Sequence, residues 1–136
     1  MPRPPRHPLF WLVSFLLWML TLWVLSSRTG DETQLPPIPM ADKVAHFGFF
    51  LGGSGLLCAF LYCLGPLRSR WKLLFLVVMV VMGSIGWLDE IHQSYTPGRF
   101  GKDPYDWLAD VTGGLAGCLI FRRMHTLLHP RENKNG

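Results

Sequence analysis

The apolar residues of this chain fall into four long blocks that short polar segments separate. The blocks cover residues 9–26, 44–64, 73–88 and 105–121. Each is close to the roughly 17–25 residues that a helix needs to cross a bilayer, the last two lying at or slightly below the lower limit. Within a block the apolar residues follow one another instead of recurring at amphipathic spacing, which is typical of helices surrounded by lipid. The pattern predicts an all-α membrane protein with four transmembrane helices.

The length of the chain favours a membrane fold over a soluble one. Its 136 residues suffice for one domain but cannot supply the amphipathic helices that would have to cover four buried ones. We predict a single integral membrane domain over residues 1–136, with its motifs between about 40 and 120 and a basic cytoplasmic tail at 122–136. The first block resembles a secretory signal, but it is long and no A-x-A-like cleavage site follows, so we predict an uncleaved helix.

Basic residues are distributed unevenly around the blocks. Most of the 13 lysines and arginines lie before the first block, between the second and third, and after the fourth. The positive-inside rule then places both termini in the cytoplasm and the opposite ends of the helices outside. Because the basic residues flank apolar blocks, the net charge of +4 does not indicate a nucleic-acid partner. Cys58, Cys63 and Cys118 lie inside apolar blocks and predict neither a disulfide nor a thiolate metal site.

Ionisable residues collect at the end of the third block. Glu90 and Gln93 share a helix face, whereas Asp89 points about 100° away from Glu90. We therefore expect Glu90, rather than Asp89, to face inward. An acid at a helix C-terminus meets the negative end of the dipole, so a cation should offset it, and Arg99 on a Pro-Gly turn is the candidate. Its guanidinium suits either a structural ion pair, with Glu90 or Asp106, or the clamping of a bound phosphate or carboxylate.

The starts of the second and fourth helices supply the other polar residues. Asp42 is placed to cap the second helix, and Lys43 and His46 share a face of its first turn. Asp106 and Asp110, at i and i+4, lie on one face of the fourth helix. The helix dipole stabilises Asp106 but does less for the deeper Asp110. We therefore expect Asp110 to be paired with a cation, protonated or part of the functional site. Glycines on both helices predict close packing between helices.

Three ordered motifs carry a family resemblance: ADKVAHF at residues 41–47, DEIHQSYTPGR at 89–99 and DWLADVTGG at 106–114. Together they resemble the VanZ-like family of small bacterial membrane proteins, whose namesake is linked to teicoplanin resistance. The resemblance implies a multi-pass protein of the bacterial inner membrane and a connection to the cell envelope and to antibiotic resistance, but it supplies no reaction. Position 110 is often asparagine in such proteins. The resemblance singles out Asp42, Lys43, His46, Glu90, Gln93, Pro97, Gly98, Arg99, Asp106 and Asp110.

Three classes of function fit these residues. In the first, Lys43, His46 and Arg99 bind an anionic envelope component, such as an anionic lipid or a lipid-linked cell-wall precursor. The residues that complete this ligand-binding pocket are Asp42, Glu90, Gln93, Asp106 and Asp110. In the second, the protein is a membrane-embedded enzyme acting on a phosphorylated or lipid-linked envelope substrate. There His46 is the general acid/base or nucleophile, with Glu90 or Asp106 as its catalytic partner and Arg99 stabilising developing charge. The third class is a structural or assembly subunit of a membrane complex.

Cofactors are not predicted. A metal site formed by His46, Glu90, Asp106 and Asp110 would suit a hard or borderline cation, but the sequence does not favour it. A transporter is disfavoured because no acid lies near the membrane midplane and no helix is visibly broken. The one partner that the sequence predicts directly is the lipid bilayer.

Overall fold

The computed structural model describes residues 6–29, 40–99 and 101–128, and within these ranges the chain is helical without strands. Four α-helices follow one another: α1 (Pro8–Ser26), α2 (Ala41–Leu64), α3 (Trp71–Gln93) and α4 (Pro104–Met124). A short 3-10 helix, His125–Leu127, follows α4. The all-α prediction is confirmed. Most of the loop before α2, residues 30–39, and the tail from residue 129 lie outside the described residues.

Three of the helices, α1, α2 and α3, are long and apolar enough to cross a membrane. Much of the surface of α1 consists of exposed apolar side chains, among them Leu16, Leu17, Leu20 and Val24. Such a surface is unfavourable in water and is satisfied by lipid. α4 has 21 residues, but it carries two aspartates near its start and two arginines in its last turn. The fourth crossing therefore stays a prediction.

The helix boundaries follow local chemistry except at the start of α2. α4 begins directly after Asp103, whose Oδ1 accepts a 2.8 Å hydrogen bond from the backbone N–H of Tyr105 as an N-cap. α2 ends at Leu64, directly before Gly65, whose φ of 103° lies in the region that glycine adopts readily. Asp42 is not the cap predicted for α2. The helix begins one residue before it, after Met40 with φ 70°, so that Asp42 lies inside the first turn.

α2 and α4 approach each other closely because two glycines of α4 lie against the backbone of α2. A Cβ atom on Gly113 would overlap the carbonyl of Phe47, and one on Gly117 would overlap the carbonyl of Leu51 and the hydroxyl of Ser54. Close approach of this kind is how helices pack in lipid. Three glycines of α2 face open space instead: Gly48, Gly52 and Gly55. The predicted close packing is thus confirmed for the α4 glycines but not for these three.

α1 is held against α2 by Trp18. Its indole N–H donates a 3.0 Å hydrogen bond to the backbone carbonyl of Phe49, and its ring stacks on those of Phe15 and Phe49. Gly53 leaves the space that the indole fills, since a Cβ there would overlap the ring. This packing places the C-terminal end of α1 beside the C-terminal end of α3, where the polar residues are found.

Candidate functional site

The polar residues gather at one end of the bundle, where α1 and α3 end and α2 and α4 begin. Hydrogen bonds between Ser26 and Asp89 and between Lys43 and Asp106 join these four helix ends in pairs. Nine polar or ionisable residues are buried among the described part of the chain: Ser26, His46, Ser54, Asp89, Glu90, Gln93, Thr96, Asp106 and Asp110. All but Ser54 lie at this end. Buried polar groups require partners, so the pairing within the cluster defines what it can bind.

His46 and Asp110 form the deepest polar pair. His46 Nδ1 lies 2.8 Å from Asp110 Oδ1, and Asp110 is fully buried. A carboxylate only accepts hydrogen bonds, so the proton of this contact belongs to Nδ1, and Nε2 is left to face Asp42, whose Oδ1 is 3.9 Å away. The sequence suggested Glu90 or Asp106 as the partner of His46. The structure places it on Asp110 because α2 and α4 pack face to face.

Lys43 forms a second cluster at the start of α4. Its Nζ donates to Asp106 Oδ1 at 2.8 Å and to Asp103 Oδ2 at 3.2 Å. The hydrogen bond from the backbone N–H of Tyr105 lowers the pKa of Asp103, and Lys43 acts in the same direction. Asp106 therefore pairs with a lysine of α2 and not with Arg99.

Both acids at the end of α3 are buried. Asp89 accepts hydrogen bonds from the Ser26 hydroxyl and, at 2.8 Å, from the Gln93 amide. Glu90 Oε2 accepts the backbone N–H of Asp103 at 2.8 Å, whereas Glu90 Oε1 is buried without a hydrogen-bond partner among the described residues. The expectation that only Glu90 faces inward was wrong. α1 covers the side of α3 that carries Asp89, so both faces of this turn are interior.

Arg99 binds the end of α1. Its Nε donates to the carbonyl of Arg28 at 3.1 Å, one terminal nitrogen donates to the carbonyl of Leu25 at 3.1 Å, and the other lies 3.4 Å from Gln93 Oε1. Gly98, with φ 74°, turns the chain immediately before it. The carbonyls at a helix C-terminus attract a cation, which explains the contact. Within the described ranges Arg99 forms no ion pair with Glu90 or Asp106.

A cavity of about 240 Å³ lies between α1, α2 and α3 at this end. Its polar wall consists of Ser26, Asp42, His46, Asp89, Gln93 and Arg99. Its apolar wall consists of Leu22, Leu25, Ala45, Phe49 and Phe50. The cavity thus combines an apolar surface with directed hydrogen-bonding groups, including the histidine that Asp110 orients.

Two groups of side chains in the described chain have the spacing of metal ligands. In each group, one ligand atom per residue lies within 4.8 Å of the others. The first group contains Asp42, His46 and Asp106, and the second contains His46, Asp89 and Glu90. Only the second is buried throughout.

The structure brings together most of the residues singled out from the sequence. Asp42, His46, Gln93 and Arg99 line the cavity, Glu90 and Asp110 lie behind it, and Lys43 and Asp106 form the adjacent pair. Ser26 was not predicted from the sequence, and Asp89 was predicted to face away from the interior. The available signal for Ser26 was weak: a hydroxyl at the end of an apolar block.

Comparison with known protein families gives a match over most of the chain. The family model described as VanZ/LLP1 matches residues 9–128. The chain belongs to the VanZ/LLP1 family. The match spans all four helices, so the VanZ-like resemblance of the three motifs is confirmed. No curated protein and no solved structure matches the chain significantly.

Proposed function

We propose that this VanZ/LLP1 protein binds the headgroup of an anionic envelope lipid, or of a lipid-linked cell-wall precursor, in the cavity between α1, α2 and α3. The observation that carries the proposal is the two-sided lining of that cavity. Its apolar wall is formed by side chains on helices that suit a bilayer, and its polar wall by His46, Gln93 and Arg99. A molecule with a polar head and an apolar chain satisfies both walls, whereas a water-soluble ligand satisfies one.

The size of the cavity limits what it holds. Drug-sized ligands occupy roughly 300–1,000 Å³, so about 240 Å³ suits a headgroup whose chains remain in lipid.

Arg99 provides the contact for an anion. A guanidinium has five N–H donors, of which the bonds to Leu25, Arg28 and Gln93 use three. The remaining donors suit phosphate or carboxylate oxygens. Because Asp42 and Asp89 line the same cavity, the anion is held by directed donors and not by a net positive field.

We further propose that all four helices cross the bacterial inner membrane, with both termini in the cytoplasm and the cavity facing outward. The supporting feature is the charge at the opposite end of the helices, where Arg68, Arg70, Lys72, Arg122 and Arg123 cluster. Such residues are retained on the cytoplasmic side. α4 is long enough to cross, and two of its acids have partners in α2.

Cysteine labelling in intact cells tests the orientation. Tyr95→Cys, Ser69→Cys and Thr126→Cys place a thiol at three exposed positions in a background without the native cysteines. We expect a membrane-impermeant maleimide to label position 95 in intact cells and positions 69 and 126 only after lysis. Labelling of position 126 in intact cells would contradict the crossing of α4.

Native mass spectrometry tests the ligand. The protein is purified in mild detergent with its host lipids, beside Ala45→Trp, which fills the cavity without removing a polar group. Val44→Trp is the matched control, because Val44 is 68% exposed and does not line the cavity. We expect a phosphate-bearing adduct on the unmodified protein and the control, and its loss from Ala45→Trp. The same variants, expressed in a susceptible host, show whether the site affects teicoplanin resistance.

If none of the three folded proteins retains a specific adduct, the proposal of ligand binding is contradicted. It would favour the third class of function, a structural or assembly subunit.

One observation favours an enzyme as the second candidate. Asp110 fixes the His46 ring through Nδ1 and leaves Nε2 available near the cavity, which is the arrangement of a general base. An enzyme accumulates substrate when its base is removed. His46→Gln should then retain an adduct whose mass differs from that on the unmodified protein. In a binding protein, the variant should show the same adduct mass or, because His46 is part of the polar wall, no adduct.

A further inference from the structure

The end of the bundle that carries the cavity contains more buried carboxylates than buried cations. Asp89, Glu90, Asp106 and Asp110 are all buried, at 6%, 0%, 4% and 0% exposure. Lys43 pairs with Asp106, so three of these acids remain. Lys43 itself is half-buried, so His46 is the one buried base at this end of the described chain, and Arg99 binds carbonyl and amide oxygens. Buried carboxylates are stable when they are paired or hold a metal ion.

Two of the three remaining acids, Asp89 and Glu90, lie with His46 in an arrangement that points to a common ligand. One atom each of His46, Asp89 and Glu90 lies within 4.8 Å of the others. Oε1 of Glu90 is buried and unpartnered in the described chain, while its Oε2 accepts the N–H of Asp103. An unpartnered buried carboxylate oxygen is costly, and a cation between the three side chains would satisfy it.

The surroundings of the three side chains are those of a metal site. A histidine that binds a metal through one nitrogen usually donates its other N–H to a carboxylate, and His46 Nδ1 lies 2.8 Å from Asp110. Ligating carboxylates are themselves hydrogen-bonded, and Asp89 accepts from Ser26 and Gln93. Each of its oxygens keeps a second lone pair for a cation.

We propose that this protein binds a divalent cation through His46 Nε2, Asp89 and Glu90, with Asp110 orienting the histidine. A nitrogen with two carboxylates suits Zn²⁺, a borderline cation, or Mn²⁺, a harder cation that also accepts imidazole, better than Ca²⁺, which takes oxygen ligands. His46 and Asp89 line the cavity, so the ion has an entry path. The metal site considered from the sequence also contained Asp106 and Asp110. In the structure Asp106 pairs with Lys43, and Asp110 binds the other nitrogen of His46. The proposal does not depend on lipid binding, but a cation on Nε2 would exclude His46 as the general base of the second candidate function.

Cation titration of the purified protein tests this inference. After treatment with EDTA, Mn²⁺ is added and free Mn²⁺ is followed by electron paramagnetic resonance, with Zn²⁺ as competitor. We expect one saturable site, and at least tenfold weaker binding in Glu90→Gln and in Asp89→Asn. Asp103→Asn and His92→Gln are the matched controls, since both residues lie near the site but outside the group of three. The controls should bind as the unmodified protein does.

Thermal melting separates a lost ligand from a lost fold. Glu90→Gln replaces an unpartnered buried charge and keeps the acceptor for Asp103, so in EDTA it should melt at or above the temperature of the unmodified protein. Added Mn²⁺ should raise the melting temperatures of the unmodified protein and of the two controls, but not that of Glu90→Gln. Absence of a saturable site in the unmodified protein, or equal affinity in Glu90→Gln, would overturn the proposal and indicate that protonation neutralises these acids.

Discussion

His46 of α2 and Asp110 of α4 are joined by a 2.8 Å hydrogen bond in the part of the bundle where these two helices pack against each other. Asp110 is fully buried and its Oδ2 has no hydrogen-bond partner within the described residues. The pair therefore holds one oriented imidazole at the cavity and leaves one carboxylate oxygen unsatisfied. Because of both features, the stability of the protein should depend on the hydrogen-bonding groups of the side chain at position 110 more than on its size.

Asp110→Asn and Asp110→Leu should differ in stability. Asparagine keeps an oxygen that accepts the N–H of His46, so we expect little change in melting temperature. Leucine leaves that N–H buried without a partner, which costs roughly 1–3 kcal/mol. Thermal unfolding in detergent, followed by tryptophan fluorescence, measures the difference. Equal losses in both variants would show that the charge, and not the hydrogen bond, is required.

The pair of Lys43 and Asp106 predicts non-additive effects. Lys43→Met should lower the melting temperature because it leaves Asp106, at 5% side-chain exposure, without its cation. The double variant Lys43→Met/Asp106→Leu removes both charges and should melt above Lys43→Met. Asp106→Asn should also be more damaging than Asp110→Asn, because it weakens the contact with Lys43. Additive losses in the double variant would contradict the pairing.

The helices and the polar end could be predicted from the sequence because both depend on local patterns. Apolar block length determines where a helix can cross lipid, and the i, i+4 spacing of Asp106 and Asp110 places them on one helix face whatever lies opposite. The structure accordingly has both acids buried on α4.

The partners of Arg99 and Asp89 could not be predicted in the same way. Ser26 and Asp89 are 63 positions apart, and Arg99 and Arg28 are 71 apart, so both contacts depend on where α1 packs. Nothing in the spacing of residues 83–117 indicates that the end of α1 lies beside them. A helix end that contributes only serine hydroxyls and backbone carbonyls leaves little trace in the sequence.

The glycines of α2 and α4 should respond differently to alanine. Gly117→Ala places a Cβ into the carbonyl of Leu51 and should cost roughly 1–3 kcal/mol through overpacking. Gly52→Ala is the matched control, since nothing lies within 4 Å of its added Cβ. It should leave stability unchanged or raise it by up to about 1 kcal/mol, because glycine is unfavourable inside a helix. Similar melting temperatures for both variants would contradict the close approach of α2 and α4.

Arg99 should stabilise the end of α1 independently of any ligand. In Arg99→Ala, the carbonyls of Leu25 and Arg28 lose their donor, and we expect faster hydrogen exchange of the amides of Ser27 and Arg28, which close the last turn of α1. Insertion should be normal because Arg99 lies outside the apolar blocks. Arg28→Ala removes a charge from the same end but keeps the backbone carbonyl that Arg99 binds. Its exchange rates should therefore match those of the unmodified protein, and equal acceleration in both variants would mean that local charge, not this hydrogen bonding, holds α1 in place.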